Sequence, residues 1–199
     1  DSINATKLVI KEGDLVCRTG FDYISKSLQS FNNKDKTYSH SGLLFKENGV
    51  WMVYHSIAGE DENPSECFKK EPLDSFINPE KKYCFGIFRY KIDSSEISCM
   101  HNKFSGFVTD KIKFDKLFDM KEDEKLYCSE AIAKSLLTCT NGRVKIPTTI
   151  RHIKKMKNEG YKHLEGKEFE YWALDNLYLN EYCDSIKKVI FPMGYPKPT

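Results

Sequence analysis

Residues 125–137 read KLYCSEAIAKSLL, an amphipathic pattern that predicts the start of a helix with a cysteine in its first turn. The thiol of Cys128 would lie near the positive end of the helix dipole, which favours the thiolate. The thiolate is the nucleophilic form of cysteine, so Cys128 is a candidate catalytic residue. A buried cysteine acting as a small hydrophobic side chain is the commoner role, and the acidic run at residues 119–124 opposes ionisation of the thiol.

Two histidines lie upstream, each next to a predicted strand. Residues 38–45, YSHSGLLF, place His40 where a strand leaves a polar loop, and residues 50–55, VWMVYH, end in His55. A histidine titrates near neutral pH, so His40 is the candidate general base for Cys128. Neighbouring strands hold side chains about 5 Å apart, so His55 is placed to fix the tautomer of His40. Either residue could instead be an ordinary strand histidine without a catalytic role.

The order of the predicted elements indicates an α+β fold, with strands in the first half and helices in the second. The Asn48-Gly49 pair predicts a hairpin turn between the two histidine strands. We predict one domain spanning residues 1–199, a small antiparallel sheet or barrel packed against helices. The other predicted strands are residues 13–18, 83–90 and 187–192, and the other predicted helices are residues 21–31, 94–112 and 147–158.

Composition limits the classes of function. The chain has 199 residues, 40% of them hydrophobic, which is enough for one sizeable core. The net charge is +2 and the lysines alternate with acids, so no basic stripe indicates a nucleic-acid partner. No run approaches the roughly 20 apolar residues that a transmembrane helix requires. The composition leaves the oligomeric state open.

The seven cysteines are an odd number, so at least one lies outside any intramolecular disulfide set. Zinc binding is the rival chemistry, but no CxxC or HxxxH pair gives the ligand spacing of a zinc site. We therefore predict no metal and no cofactor. The remaining histidines, in lysine-rich surroundings, are interpreted as solvated, and the six other cysteines as structural with their pairing open: His101, His152, His163, Cys17, Cys67, Cys84, Cys99, Cys139 and Cys183.

Three short motifs in a fixed order resemble the YiiX/YaeF family, which are circularly permuted, NlpC-like, papain-fold cysteine amidases and peptidases. The motifs are GDLV at residues 13–16, YSHSG at residues 38–42 and LYCSE at residues 126–130. His40 precedes Cys128 by 88 positions, whereas in papain the cysteine comes first. That reversed order is the one a circular permutation produces, and lecithin retinol acyltransferase-like enzymes share it.

The resemblance implies a cysteine hydrolase with Cys128 as nucleophile, His40 as base and His55 at the third position, where many members of the family have glutamate. It implies cleavage of an amide bond, in a cell-wall peptide or a related amidated or lipidated substrate, through a thioacyl-enzyme. Two alternatives stay open. One is an acyltransferase or thioesterase with the same three residues, and the other is a non-catalytic module of the same fold that binds a ligand.

The surroundings of the site give three further candidates. Tyr38 and Tyr127 flank the two catalytic positions and are candidate substrate-binding residues. Glu130, two residues past Cys128, does not share the face of the cysteine on a helix; it is a candidate for substrate binding or for supporting the helix end. The chain begins at Asp1 without methionine, so either a leader was removed or the start was trimmed. With the family, this favours an extracytoplasmic location in the periplasm or cell envelope.

Overall fold

The computed structural model describes residues 2–58, 63–155 and 159–192. Its main feature is a six-stranded antiparallel sheet with the order β4-β3-β2-β1-β5-β8, and β6 and β7 form a separate pair. The strands are β1 (Leu15–Gly20), β2 (His40–Glu47), β3 (Val50–His55), β4 (Lys69–Pro72), β5 (Lys82–Tyr90), β6 (Thr149–His152), β7 (Glu168–Tyr171) and β8 (Cys183–Ile190). The helices are α1 (Ser2–Lys7), α2 (Tyr23–Gln29), α3 (Leu73–Phe76), α4 (Ser94–Thr109) and α5 (Cys128–Cys139), with 3₁₀ turns at Glu159–Leu164 and Leu174–Leu177.

The predicted hairpin between the two histidine strands is present. Strands β2 and β3 pair in an antiparallel register from Leu43 opposite Tyr54 to Glu47 opposite Val50. The turn residues Asn48 and Gly49 have φ values of 48° and 83°. Two consecutive left-handed residues are what a tight hairpin turn of this kind requires, and Asn-Gly adopts them at low cost.

The sheet buries both of its faces, because alternate residues of a strand point to opposite sides. Helices α4 and α5 pack on one face, where the disulfide Cys99–Cys139 joins them. Helix α3 packs on the other. The first face buries Leu15, Leu43, Phe45, Met100, Phe104, Ile132 and Leu136. The second buries Val16, Leu44, Val53, Phe76, Phe85 and Ile87.

The α+β class is confirmed. Of the predicted sheet or barrel, the structure has an open sheet, with β4 and β8 at its edges. The predicted helix at residues 147–158 is wrong in its first part, where β6 pairs with β7, and residues 156–158 lie outside the described residues. The polar loop that follows β3 is described only from residue 63 onward. Across the part of the chain that the structure describes, no helix is long and apolar enough to cross a bilayer.

Candidate active site

Cys128 is the first residue of α5, as the sequence predicts. The turn before it is held by Glu130, whose Oε2 accepts a hydrogen bond from the Tyr127 backbone N–H at 3.3 Å. Glu130 is fully buried, and its Oε1 lies 2.8 Å from Nζ of Lys134. Glu130 therefore supports the helix start that presents the cysteine, one of its two predicted roles. Its burial leaves it no exposed surface for a substrate in this structure.

The residues on either side of Cys128 both bind the backbone of Trp172. The Tyr127 hydroxyl accepts a hydrogen bond from the Trp172 N–H at 2.9 Å, and the Ser129 hydroxyl donates one to the Trp172 carbonyl at 2.8 Å. The segment after β7 is thereby fixed to the start of α5. Sequence reasoning missed Trp172, because no local motif connects it to a position 44 residues away.

Cys128 and His40 line the same cleft, so the structure brings the predicted nucleophile and base together. Most of the cleft is aromatic or aliphatic, and Tyr127 is part of its wall as predicted. The apolar lining consists of Leu28, Phe31, Phe114, Phe118, Tyr127, Tyr171, Trp172, Ala173 and Leu174. Asn32, Ser39 and Ser129 add polar groups to it.

Tyr38 lies elsewhere. Its side chain is 1% exposed and packs in the core against Phe88 and Tyr178, at ring-centroid distances of 5.9 and 5.7 Å. Its ring crosses Gly86, where an added methyl group would lie 2.4 Å from the Tyr38 hydroxyl oxygen. The structure therefore places Tyr38 in the packing between β5 and the 3₁₀ turn at Leu174–Leu177, and not in the lining of the cleft.

The thiol and the imidazole share the cleft but are not joined by a hydrogen bond. The Nδ1 atom of His40 is buried and has no hydrogen-bond partner among the described residues. Burial raises the pKa of the Cys128 thiol above its ordinary value, although the neighbouring N–H and O–H groups of Ser41 and Ser129 favour the thiolate. The resting pair is therefore a neutral thiol and a neutral imidazole, rather than an ion pair.

His40, His55 and Glu71 form a continuous polar chain that crosses three strands. His40 Nε2 lies 2.9 Å from His55 Nδ1, and His55 Nε2 lies 2.9 Å from Glu71 Oε1. His40 is on β2, His55 on β3 and Glu71 on the edge strand β4. The predicted contact between the two histidines is present. Glu71 was missed, because nothing in the sequence around it marks a site.

Both histidines are neutral at neutral pH. Burial lowers the pKa of His55 to about 4, although the carboxylate of Glu71 opposes the shift. Burial, then the proximity of His55 and of Arg18, lowers the pKa of His40 well below its ordinary value. Burial alone would raise the pKa of Glu71, but its hydrogen bond to His55 keeps that pKa below the ordinary range, so Glu71 is ionised.

Phe76 of α3 packs under the polar chain. Its ring centroid lies 5.6 Å from the ring of His40 and 5.0 Å from the ring of His55. The guanidinium of Arg18 lies 4.3 Å from the same centroid and donates a hydrogen bond to the Phe76 carbonyl at 3.2 Å. This packing holds both rings in fixed orientations and keeps water away from them.

The site does not fit a metal ion. Both ring nitrogens of His55 and the Nε2 atom of His40 are engaged in the contacts of the polar chain, so only His40 Nδ1 is left as a nitrogen donor. With the thiol of Cys128 this gives two ligands, fewer than the three that a catalytic zinc site takes from the protein. Over the described ranges, no group of three or more histidine, cysteine, aspartate or glutamate side chains is placed to hold a metal.

Together the sheet, the helices packed on it and the site define an α+β protein with a YiiX-like fold. The fold is similar to the crystal structure of a protein described as metalloprotein yiiX from Escherichia coli O157:H7. The TM-score is 0.68 at 17% sequence identity, and the similarity covers 92% of this chain and 99% of the other. No protein-family model matches the sequence, and no curated protein matches it.

Proposed function

We propose that this protein is a cysteine hydrolase that cleaves amide bonds with Cys128 as nucleophile and His40 as base. The observation that carries the proposal is the shared cleft, which is lined both by Cys128 at the start of α5 and by His40. The Nε2 atom of His40 is hydrogen-bonded to His55. A nucleophile, a base and a group that orients the base are the parts that such chemistry requires. A YiiX-like fold is consistent with this reading, although fold alone does not assign an activity.

The reaction starts from the neutral pair. His40 Nδ1 takes the thiol proton as the sulfur of Cys128 attacks the carbonyl carbon, and the electron pair of the carbonyl π bond moves to oxygen. The backbone N–H of Cys128 at the helix start is a donor for that oxyanion. When the C–N bond breaks, His40 returns the proton to the leaving amine and a thioester remains on Cys128. Water, deprotonated by His40, then hydrolyses the thioester.

This sequence requires the thiol and His40 Nδ1 to come within hydrogen-bond reach, about 3–3.5 Å for a sulfur–nitrogen pair. Catalytic hydrogen bonds commonly tighten only when substrate binds. Cys128 is partly exposed in the cleft, so a carbonyl group can reach its sulfur. We propose that a bound acyl group closes the remaining gap.

The lining of the cleft bears on the substrate. Phe31, Phe114, Phe118 and Tyr171 contribute aromatic surface to the cleft that Cys128 lines, and of the described residues in its lining none carries a charge other than His40 when protonated. Such a surface stabilises an apolar acyl group by burial. Of the two substrate classes that the resemblance implies, the cleft favours an amidated or lipidated molecule over a cell-wall peptide.

We also propose an extracytoplasmic location. The disulfide Cys99–Cys139 joins α4 to α5, the helix that carries the nucleophile. Disulfides form and persist in oxidising compartments and are rare in the cytosol. The other five cysteines are free, and four of them are buried.

The test is transfer of an acyl group to Cys128. Purified protein is incubated with p-nitrophenyl octanoate, and acylated peptides are identified by mass spectrometry with and without later treatment by hydroxylamine. We expect a hydroxylamine-sensitive octanoyl group on Cys128, strongly reduced in His40→Ala and absent from Cys128→Ala. Cys67→Ala is the matched control, since Cys67 is a free cysteine outside the cleft. Octanoylation of several cysteines to similar extents, unchanged in His40→Ala, would refute the proposal.

Octanoyl anilide and an added amine separate hydrolysis from acyl transfer. Release of aniline with octanoate as the product supports the amidase. Release of p-nitrophenol from the ester only supports one of the alternatives that the same three residues allow: an acyltransferase if the acyl group passes to the amine, and a thioesterase if octanoate is the product.

A ligand-binding module is the second candidate, and one observation favours it. The thiol of Cys128 is neutral and has no hydrogen bond to His40 in the described structure. A module predicts that Cys128→Ala binds an octanoyl amide with unchanged affinity and that the wild-type protein turns nothing over. Turnover of any acyl substrate that depends on Cys128 excludes it.

A further inference from the structure

The carboxylate of Glu71 ends the polar chain and determines where the protons of its two histidines lie. Glu71 is ionised, so its oxygens can only accept. Its Oε1 lies 2.9 Å from His55 Nε2, where it would repel a ring lone pair, so the hydrogen of this ring must be on Nε2. Because His55 is neutral, its Nδ1 carries no hydrogen and is an acceptor.

The same reasoning passes to the next ring. His55 Nδ1 is an acceptor and lies 2.9 Å from His40 Nε2, so the hydrogen between the rings belongs to His40 Nε2. His40 is neutral, so its Nδ1 holds a lone pair. One carboxylate on the edge strand thus fixes the tautomers of two buried rings.

The lone pair on His40 Nδ1 lies at the end of the polar chain opposite Glu71. This atom is buried and has no hydrogen-bond partner among the described residues, a condition that ordinarily costs stability. His40 also lines the cleft beside Cys128. A buried acceptor left unpaired at a cleft next to a thiol is suited to receiving a proton.

We infer that Glu71 is a positioning residue that makes His40 Nδ1 the basic atom of the site, acting through His55. The inference that this atom takes the thiol proton rests on the proposed function. The assignment of the two tautomers is independent of the proposed function. Two residues therefore share the third position of the site. His55 connects Glu71 to His40, and Glu71 determines which ring nitrogens carry hydrogen.

More cations than acids surround the two histidine rings, and this affects how the protonation of the rings depends on pH. The cations that face the rings are Arg18 on β1, Lys69 on β4 and Lys82 on β5, and each of them disfavours protonation of His40. On the acidic side, Asp22 lines the neighbouring cleft that His40 also borders. The element packed over the rings, α3, presents Phe76. Among the described acids, Glu71 contacts a ring nitrogen of the pair, at 2.9 Å from His55 Nε2.

The tautomers are read directly by long-range ¹H–¹⁵N correlation of the histidine ring nitrogens at pH 7.5. We expect Nε2–H tautomers for both His40 and His55 in the wild-type protein. In Glu71→Gln the side-chain amide can donate to His55 Nε2, so we expect both rings to shift toward the Nδ1–H form. Glu71→Asp keeps the carboxylate, and we expect it to retain the wild-type tautomers at least in part.

Asp74→Asn is the matched control, since it removes a nearby exposed carboxylate that pairs with Lys7. It should change neither tautomer. We expect Glu71→Gln to slow acylation of Cys128 by about 10- to 100-fold, with partial recovery in Glu71→Asp, because a wrong tautomer disables a base whose ring stays in place. Circular dichroism checks that each variant is folded.

The outcomes separate the two claims. An Nδ1–H tautomer of His40 in the wild-type protein, or Nε2–H tautomers that persist in folded Glu71→Gln, would overturn the role of Glu71. Wild-type tautomers as expected, with no acylation of Cys128, would refute the proposed function and leave the tautomer assignment standing. Should Glu71→Gln not fold, Glu71→Asp and the wild-type spectrum still decide the assignment.

Discussion

Gly42 of β2 lies directly against His55 of β3. A methyl group on Gly42 would lie 3.1 Å from the His55 Cβ, 2.8 Å from the Tyr54 carbonyl oxygen and 2.6 Å from a Val53 methyl. Contacts below 3.0 Å with a backbone atom cannot be relieved by rotating a side chain. The absence of a side chain at residue 42 is therefore what allows the second histidine to approach the first.

Replacing Gly42 by alanine should disturb the site more than the fold. We expect Gly42→Ala to lower the free energy of unfolding by about 1–3 kcal/mol, since it overpacks a buried position, and to reduce acylation of Cys128 by at least about tenfold. Urea denaturation and the acylation assay measure the two effects. Gly106→Ala, on a helix position with open space around the Cβ, is the control and should be neutral or stabilising. Unchanged activity in Gly42→Ala would contradict the argument.

The reactivity of the resting thiol follows from the direction of its pKa shift. Burial raises the pKa of Cys128, and a neutral His40 supplies no positive charge to lower it. The thiolate fraction, and with it the rate of iodoacetamide labelling, should therefore rise with pH until above pH 9 in the free protein. Peptide mass spectrometry of samples labelled between pH 6 and 10 gives the profile. Fast labelling near pH 6 that is lost in His40→Ala would instead indicate a thiolate–imidazolium pair.

Glu130 should make stability depend on pH in a defined direction. Burial, opposed by Lys134, raises the pKa of Glu130 to about 7. The folded protein thus binds a proton more tightly than the unfolded chain, so this contribution to stability is complete below about pH 4.5 and is lost as the pH rises through about 7.

The comparison with Glu130→Gln isolates that contribution from other titrating groups. We expect the glutamine variant to gain about 1–3 kcal/mol relative to the wild type between pH 5 and pH 8. Urea denaturation of both proteins at the two pH values measures the difference. A constant difference between the proteins would show that Glu130 titrates alike in the folded and unfolded states.

Asp175 holds the loop that leads into β2. Its Oδ2 accepts hydrogen bonds from the backbone N–H groups of Asn33, Lys34 and Asp35 at 3.0, 2.6 and 3.1 Å. We expect Asp175→Ala to lower the free energy of unfolding by about 2–4 kcal/mol, because three backbone N–H groups lose a buried carboxylate acceptor. Asp184→Ala, which removes an exposed carboxylate, should stay within about 0.5 kcal/mol. Equal effects of the two substitutions, measured by urea denaturation, would contradict this role.

The disulfide Cys99–Cys139 should stabilise the helix pair. The two residues are separated by 40 positions, and a loop of that length corresponds to about 4 kcal/mol of unfolded-state entropy. We expect the double variant Cys99→Ser, Cys139→Ser to lose about 2–4 kcal/mol and to become insensitive to a reducing agent. Thermal unfolding with and without the reductant measures both. If the wild-type protein is equally insensitive, the bridge is not formed in solution.

Much of the fold could be predicted from the sequence because its signals are local. The apolar spacing of α4 and α5, the Asn48-Gly49 turn and the apolar run of β5 each specify their element within a short window. Cys128 and His40 could be found for the same reason, since each stands at the predicted start of an element. The absence of a hydrogen bond between them could not, because it depends on how α5 docks on the sheet.

Glu71 could not be predicted, because β4 lacks the features of a typical strand. Its sequence, residues 69–72, is KKEP, with no β-branched or aromatic residue and with a proline. Charges and proline are common on edge strands, where they prevent pairing with other molecules.

The helix predicted at residues 147–158 is wrong in its first part because the local sequence pattern favours a different element from the one that forms. Spacing there suits a helix, but β6 and β7 pair only through contacts distant in sequence.

The sheet order has a consequence for how the protein is made. Strands β1 to β5, with all three members of the polar chain, lie within the first 90 residues, whereas Cys128 comes later and β8 last. During synthesis the histidine–carboxylate half can assemble before the cysteine leaves the ribosome. We therefore expect His40 to be positioned before Cys128 is synthesised. The edge of β5 stays unpaired until β8 emerges and pairs with it.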